Sequence, residues 1–215
     1  MTEPPVELKK LYEAVLTGDA ATAVEITEGA IAADIDLQEL VTGQMIPAMD
    51  EVGRRFEEGE YFVPELLIAA RAMKGSLELL RPLLAELGME MAGRIVVGTV
   101  KGDLHDIGKG LVASMLEGGG FEVVDLGVDV SSEKFLAEAE ESNAQIIALS
   151  ALLTTTMPAM KGVIDALQEA GVRDKYKVIV GGAPVTQRYA DEIGADGYSP
   201  SASGAVNLAR DLVAV

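Results

Sequence analysis

The segment KGDLHDIGKG (101–110) holds the residues whose types and spacing are best suited to chemistry. It contains His105, the only histidine among the 215 residues of the chain, and Asp103 lies two positions before it. A carboxylate that accepts a hydrogen bond from one imidazole nitrogen fixes the tautomer and makes the other nitrogen a better metal ligand. A lone histidine is more often a surface or hydrogen-bonded residue, so both interpretations of His105 are open at this point.

The composition restricts which metal such a histidine could bind. The chain has no cysteine. One histidine with a few carboxylates makes a poor zinc site, because zinc takes three or four protein ligands. A metal that arrives inside its own macrocycle needs only one axial ligand from the protein. The sequence therefore favours a tetrapyrrole-type cofactor over a bare metal ion.

Two further segments carry unusual residues, SALLTTT (150–156) and GGAP (181–184). The hydroxyl groups of Ser150 and Thr154–Thr156 suit contact with a ligand and equally suit the cap of a following helix. The pair Gly181–Gly182 would let a bulky group lie against the backbone, although such a pair is also a common turn. Neither a P-loop nor the GxGxxG dinucleotide fingerprint occurs in the chain.

All three segments follow strands of a predicted α/β fold. Short β-branched runs alternate with amphipathic segments after Gly88, a pattern typical of a doubly wound parallel sheet. Strands are predicted at 94–100, 122–127, 145–150, 177–182 and 196–198, and helices at 108–116, 132–140, 157–170, 186–193 and 203–213. Five strands favour the flavodoxin-like, Rossmann-type order 2-1-3-4-5, in which ligands bind beyond the carboxyl ends of the strands. Because strands 1, 3 and 4 are neighbours in that order, we expect the three segments to line one crevice.

The first half of the chain is predicted to be helical throughout. Apolar residues recur at three-and-four spacing over residues 6–88, which indicates a small bundle of four or five helices. Helix starts are predicted at Pro5, at Asp19, at Asp36 with Glu39 as a capping box, and at Pro64, with a bend at Pro47. The segment GMEMAG (88–93) is the natural linker. We therefore expect a helical domain at 1–90 and an α/β domain at 91–215.

Charge and hydropathy exclude several classes of partner. Acidic residues outnumber basic ones 35 to 17, which gives a net charge of −18 and disfavours nucleic-acid binding. No apolar run approaches the roughly 20 residues of a membrane span. The N-terminus, MTEPPVELKK, lacks the basic start and apolar core of a secretory signal. We expect a cytoplasmic protein that binds neither nucleic acid nor membrane.

The motifs match a known family. The pattern D-x-H-x-x-G stands as Asp103, His105 and Gly108, and S-x-L stands as Ser150 and Leu152, followed by the glycine pair. With FVPELLIAARAM (62–73) in the helical half, the chain resembles the corrinoid proteins of anaerobic methyltransferase systems and the cobalamin-binding module of methionine synthase. One departure is the glycine at position 110, where the family commonly has asparagine, and we assign that position no role.

The resemblance implies a cobalamin or other corrinoid cofactor, including its methylcobalamin form, bound base-off and His-on. It implies that His105 is the lower axial ligand of cobalt, that Asp103 hydrogen-bonds His105, and that Thr156 extends this relay, so these three are the predicted catalytic residues. The predicted cofactor contacts are Gly102, Asp103, His105, Asp106, Ile107, Gly108, Ser150, Leu152, Thr154, Gly181, Gly182 and Tyr198. Tyr198–Ser201 would close the far end of the tail channel. Tyr61 and Phe62 suit either shielding of the upper cofactor face or the core of the cap.

The implied function is a methyl carrier, not a complete enzyme by itself, because no second substrate domain fits in 215 residues. Its partners would be a substrate-specific methyltransferase and a second methyltransferase that passes the methyl group to a thiol or to a tetrahydrofolate or tetrahydropterin, with a reductive activase as a further candidate. A cobalamin sensor would need a DNA-binding segment, and the small subunit of an adenosylcobalamin mutase would lack the helical half. A response-regulator-like sheet without cofactor would leave His105 unexplained.

Overall fold

The computed structural model describes residues 6–88 and 91–214, which form two compact units. A helical unit extends to Met91 and an α/β unit begins at Ala92, with Glu117–Gly120 grouped with the first unit. Across the described ranges, no helix is both long and apolar enough to cross a membrane. The helical first half and the five-stranded α/β second half confirm the predicted fold class.

The helical unit consists of amphipathic helices joined by short turns. Its elements are α1 (Val6–Thr17), α2 (Ala20–Ala32), α3 (Leu37–Glu39), a π-helical turn (Leu40–Met45), α4 (Ile46–Glu57) and α5 (Val63–Glu86). Asp19 caps α2 by accepting a hydrogen bond from the Thr22 N–H group (3.1 Å), and Asp36 caps α3 through the Gln38 N–H group (2.9 Å). Each cap satisfies a donor that the first helical turn would leave unpaired.

The interior of this unit is built from aliphatic and methionine side chains. The largest buried ones are Leu11, Leu40, Met45, Met49, Leu66, Met73, Leu77 and Leu80. The irregularity expected at Pro47 takes the form of the π-helical turn that precedes it, in which the Ile46 N–H group donates to the Val41 carbonyl. Proline has no N–H group for the preceding turn, so the backbone widens there and α4 begins with Pro47 in its first turn.

The α/β unit has one five-stranded parallel sheet in the predicted order. Its strands are β1 (Arg94–Thr99), β2 (Glu122–Asp125), β3 (Ile146–Ser150), β4 (Lys177–Gly181) and β5 (Gly197–Tyr198), arranged β2-β1-β3-β4-β5. Its helices are α6 (Ile107–Gly118), α7 (Ser132–Glu141), α8 (Pro158–Glu169), α9 (Gln187–Ile193) and α10 (Ala202–Val213). The register aligns Thr99 with Ser150 and Ser150 with Gly181, so the three central strands end at one level.

The central strands are apolar on both faces because helices cover both sides of the sheet. All residues of β1 after Arg94 are buried, as are Ile146–Leu149 of β3. Hydroxyl side chains of Ser131, Thr186 and Ser201 cap α7, α9 and α10, so those helices start where the sequence predicted. Several predicted strands are one or two residues too long, since the residues at their ends already belong to the loops that build the site.

An ion-pair network on α4 predicts acid sensitivity of the helical unit. Hydrogen bonds donated by Arg54, which has the larger effect, and by Arg55 lower the pKa of Glu51 from its usual 4.5 to about 2. An unfolded Glu51 takes up its proton near the usual value, so its stabilising contribution is complete above that pH and is lost as the pH falls towards about 2. Glu51→Gln is expected to cost about 0.5–1 kcal/mol of unfolding free energy near neutrality, a small value because the pairs are partly exposed.

Urea unfolding of the apoprotein across this acid range provides the measurement. The Glu51→Gln variant should lose stability less steeply than the wild type as the pH is lowered. Glu28→Gln, on the exposed side of α2, is the control and should keep the wild-type acid dependence. Equal acid dependence in wild type and Glu51→Gln would contradict the assignment.

Candidate functional site

The loop that carries the histidine joins β1 to α6 and lies at the carboxyl end of the sheet. We call residues 100–106 the histidine loop. Thr99, the buried last residue of β1, donates a hydrogen bond from Oγ1 to the backbone carbonyl of His105 (2.9 Å). This bond holds the histidine directly above the end of β1. Sequence reasoning missed Thr99, although a hydroxyl residue in a strand that is otherwise apolar after Arg94 was a signal.

The carboxylate of Asp103 is the most heavily hydrogen-bonded side-chain group described at this edge of the sheet. It is fully buried. Its Oδ1 accepts from His105 Nδ1 (2.7 Å) and from the His105 N–H group (3.1 Å). Its Oδ2 accepts from Thr156 Oγ1 (2.6 Å) and from the N–H groups of Leu152 (2.8 Å) and Leu153 (3.2 Å). The loop after β3 and the histidine loop are therefore joined through one side chain.

These hydrogen bonds decide the charge state of Asp103. Burial by itself raises the pKa of a carboxyl group, because the charged form loses its hydration. Here the donors outweigh burial: hydrogen bonds from Thr156, from the imidazole of His105 and from the N–H groups of Leu152 and His105 hold the pKa of Asp103 well below its usual range. Asp103 is therefore an ionised hydrogen-bond acceptor.

An ionised Asp103 also selects the tautomer of His105. Because the carboxylate only accepts hydrogen bonds, the proton of a neutral imidazole resides on Nδ1, and Nε2 carries the free lone pair. The side chain of His105 is 50% exposed, so the ring reaches solvent although its partner does not. A preoriented imidazole with a free and accessible Nε2 is suited to ligate one metal centre.

The surroundings of the imidazole are unusually apolar for an exposed position. Leu104, Ile107, Leu152 and Leu153, which we call the apolar rim, are all exposed, and Ile107 is 81% exposed. Clustered exposed apolar side chains mark a binding surface. A Cβ atom at Gly108 would meet nothing within 4 Å, so the space above the start of α6 is open. One imidazole donor inside an apolar rim fits a large macrocyclic metal cofactor.

A bare metal ion has no comparable site in the described part of the chain. Among residues 6–88 and 91–214, no three histidine, aspartate or glutamate side chains come together to hold one. The acidic residue next to the histidine, Asp106, points its exposed side chain to solvent, while its backbone carbonyl accepts from the N–H group at position 110 (2.7 Å).

The remaining predicted contacts spread along the ends of β3, β4 and β5. Ser150 is partly buried between Thr99 and Gly181 in the sheet register, whereas Thr154 is exposed in the following loop. Tyr198 pairs with Val180 and packs in part against the core. Since β5 lies three strand positions from β1, Tyr198 is about 14 Å across the sheet from the histidine loop. Tyr198 therefore lies too far from the imidazole to contact it.

The two glycines at the end of β4, Gly181 within the strand and Gly182 after it, differ in their physical role. Gly182 adopts φ +131°, and a Cβ atom there would lie 1.9 Å from the Ala151 carbonyl oxygen. The packing of two backbones therefore requires glycine at this position. A Cβ at Gly181 would lie 3.6 Å from the Ser199 carbonyl, an ordinary contact.

Gly102 adopts φ +84° at the turn into the histidine loop, which also favours glycine.

An ion pair fixes the helical turn that follows the histidine loop. Lys109, in the first turn of α6, is buried and its ammonium group contacts the carboxylate of Asp125 at the end of β2. Asp125 also accepts a hydrogen bond from the Gly127 N–H group (2.9 Å). Sequence reasoning assigned neither charged residue a role. A lysine in the helix turn directly after the histidine loop was the available signal.

The two aromatic candidates of the helical unit are not equivalent. Arg55 donates from Nη1 to the Tyr61 hydroxyl (3.0 Å), and its guanidinium carbon lies 5.1 Å from the centre of the Tyr61 ring. Tyr61 is therefore held within its own unit. Phe62 is 65% exposed at the start of α5, where its N–H group donates to Glu65 (3.0 Å). Of the pair, only Phe62 presents a free apolar ring.

Comparison with known proteins gives consistent matches along the chain. A family model of the B12 binding domain matches residues 93–207, and a second B12 binding domain model matches residues 7–81. The chain is 44% identical over 209 residues to a corrinoid protein of Desulfitobacterium hafniense (strain Y51), covering 96% of this chain and 97% of that protein. It is 46% identical over 208 residues to trimethylamine corrinoid protein 1 of Methanosarcina acetivorans, covering 96% of each.

A solved structure extends the match to three dimensions. The chain is similar to one in the methanol:cobalamin methyltransferase complex of Methanosarcina barkeri, with a TM-score of 0.85 and 32% identity. The match covers 98% of this chain and 81% of that chain.

The hydrogen bonding of Asp103 predicts a large and specific cost of neutralising it. In Asp103→Asn, the amide nitrogen replaces one acceptor and faces buried donors, so we expect a loss of about 2–4 kcal/mol in the unfolding free energy. Chemical denaturation of the apoprotein measures this loss. Asp106→Asn changes the same residue type three positions from Asp103 at an exposed site and should stay within about 0.5 kcal/mol of wild type. Equal effects in the two variants would contradict the role given to Asp103.

Proposed function

The chain belongs to the corrinoid proteins of methyltransferase systems, which carry the B12 binding domain, and we propose that it carries a methyl group between two methyltransferases. Its cofactor is cobalamin or a related corrinoid. When bound, the corrinoid supplies the cobalt centre to which the methyl group is attached and from which it is released. The protein supplies the axial ligand, the binding crevice and the surfaces that two partner enzymes approach.

The single observation that carries this proposal is the oriented imidazole of His105. Its Nδ1 lies 2.7 Å from the Asp103 carboxylate, which leaves Nε2 free inside the apolar rim. In the proposed base-off, His-on mode, Nε2 would hold the cobalt of the bound corrinoid. Asp103 holds the Nδ1 proton, and Thr156 holds Asp103 through the 2.6 Å hydrogen bond. An imidazole fixed by two successive hydrogen bonds would keep its orientation towards the metal.

The nucleotide tail of a corrinoid bound in this mode would need a place separate from that of the ring. We assign it to the ends of β3, β4 and β5, where Ser150, Thr154, Gly181, Gly182 and Tyr198 follow one another across the sheet. Hydroxyl and backbone groups at this edge suit a polar tail, whereas the apolar rim suits the ring. Gly102, Asp106, Ile107, Gly108 and Leu152 complete the contacts on the side of the histidine loop.

The partners are proposed from the names of the relatives. Relatives are named as corrinoid proteins for trimethylamine, and a similar chain forms part of a complex with a methanol methyltransferase. We propose that this chain likewise receives its methyl group from a substrate-specific methyltransferase. A second methyltransferase would pass the group to a thiol or to a tetrahydrofolate or tetrahydropterin, and a reductive activase would restore the cofactor. Residues 1–90 would act as the cap of the cofactor domain at 91–215.

Removal of the proposed ligand tests this function. His105→Gly should still bind hydroxocobalamin, because the tail and rim contacts remain, but its absorption spectrum should lose the His-on signature. Methyl transfer should slow by at least about tenfold, the effect of losing one catalytic interaction of about 1.4 kcal/mol. Arg188→Gln, at a highly exposed position of α9, is the control and should match wild type. An unchanged spectrum and rate in His105→Gly would remove the proposed mechanism.

A methylation assay distinguishes a carrier from a sensor. The reconstituted protein is mixed with candidate methyltransferases and with methanol, methylamines, betaines and aryl methyl ethers in turn. A carrier should become methylated with one donor and demethylated by an acceptor methyltransferase over many turnovers. Binding of the corrinoid without turnover for any donor and enzyme pair would support the sensor instead.

A further inference from the structure

Asp129 contacts the histidine loop from the side opposite to β3. Its N–H group donates to the Asp103 carbonyl (3.0 Å), and its Oδ1 accepts from the Gly102 N–H group (2.8 Å). The ammonium group of Lys101 lies 3.3 Å from the same carboxylate. One residue thus contacts three consecutive residues of the loop that leads to His105.

The backbone around Asp129 is fixed independently of these contacts. The Thr99 N–H group donates to the Gly127 carbonyl (3.0 Å), and the Val130 N–H group donates to the Thr99 carbonyl (3.0 Å). Val100 and Val130 also form an isolated parallel bridge. The segment after β2 therefore runs along the extension of β1, and Asp129 lies between two points of attachment.

The backbone conformation at this position is itself unusual. Asp129 adopts φ +54°, in the left-handed region that few residues other than glycine, asparagine and aspartate occupy. Gly102, its partner, adopts φ +84°. Two left-handed residues face each other across one hydrogen bond, and this pair turns the chain out of β1 and into the histidine loop.

Asp103 is consequently held at two separate points. Its carboxylate is held from the β3 side by Thr156, Leu152 and Leu153, and its backbone carbonyl is held from the β2 side by Asp129. The carboxylate contacts fix where the end of the side chain lies. The backbone contact fixes where the side chain starts. The direction of the hydrogen bond to the imidazole depends on both.

We propose that Asp129 is a positioning residue for His105, acting through Gly102 and the backbone of Asp103. This inference rests on the proposed function only in giving His105 the role of the axial ligand. Loss of the Asp129 carboxylate frees the first half of the histidine loop, so the imidazole samples orientations in which Nδ1 no longer faces Asp103. The position of the free Nε2 then becomes less well defined.

Three substitutions separate the carboxylate from the backbone conformation. Asp129→Gly keeps access to positive φ and removes the acceptor of the Gly102 hydrogen bond. Asp129→Asn keeps both an oxygen acceptor and tolerance of positive φ, so it should rescue the wild-type behaviour. Asn143→Gly is the matched control, because Asn143 adopts φ +52° in the same unit but precedes β3, at the opposite end of the sheet. Glycine is the residue that φ +54° strains least, so Asp129→Gly is expected to fold like the wild type.

Nitrogen-15 NMR of the apoprotein gives a readout without any cofactor. The chain has one histidine, so the imidazole signals arise only from His105. In mildly alkaline buffer, where an imidazole is ordinarily neutral, wild type, Asp129→Asn and Asn143→Gly should show the Nδ1–H tautomer. Asp129→Gly should show a mixture in which the opposite tautomer rises about fivefold, a factor typical of one lost hydrogen bond. Wild-type nitrogen shifts in Asp129→Gly would overturn the proposal.

The loaded protein provides a second readout. With bound corrinoid, the ratio of His-on to His-off absorption should fall about fivefold in Asp129→Gly and recover in Asp129→Asn. An equal fall in Asn143→Gly would show a general effect of folding and would overturn the proposal. If wild type itself lacks imidazole ligation, the proposed function fails, while the tautomer of the apoprotein still decides the role of Asp129.

Discussion

A buried carboxylate with five hydrogen-bond donors around it is the interaction on which the candidate site depends. Asp103 lies out of contact with solvent, and its partners are an imidazole, a hydroxyl and three backbone N–H groups. A buried charge without donors would be strongly destabilising, so the loops after β1 and β3 must both adopt their observed conformations for it to exist. The same requirement orients His105, because its imidazole must turn Nδ1 towards the carboxylate to donate a hydrogen bond.

The sheet makes this arrangement possible because neighbouring parallel strands end at one level. Thr99, Ser150 and Gly181 are aligned in register, so side chains distant in sequence meet at one edge. The exposed apolar rim around the imidazole costs solubility and serves no packing purpose in the protein alone. A large apolar partner that covers the rim would remove these side chains from water, which agrees with the corrinoid cofactor of the family.

Much of this could be predicted from sequence because it depends on residue type and periodicity. The alternation of strands and helices correctly predicted the strand order of the sheet. The motif around Asp103 and His105 identified the segment whose carboxylate contacts Thr156 in the structure. Among the missed contacts, Leu153 acts through an N–H group that every residue possesses, so its type carried no signal. The Asp129 carboxylate accepts from the Gly102 N–H group 27 positions away, a contact that only the fold creates. Thr99 and Lys109 act through side chains whose types were visible in the sequence, but the sequence did not show their partners. Gly182 was interpreted as room for a ligand, whereas the approach of the Ala151 carbonyl already requires it. The roles of the site residues stay proposals.

Electron paramagnetic resonance of the cob(II)alamin-loaded protein, prepared with and without nitrogen-15 in histidine, tests whether His105 ligates the cobalt. Because the chain contains a single histidine, any change in nitrogen superhyperfine splitting must come from His105. If His105 is the ligand, the three-line splitting from nitrogen-14 becomes a two-line splitting when the histidine is labelled. A splitting that is unaffected by the label would mean that the benzimidazole of the cofactor still occupies the lower position, and would contradict the account.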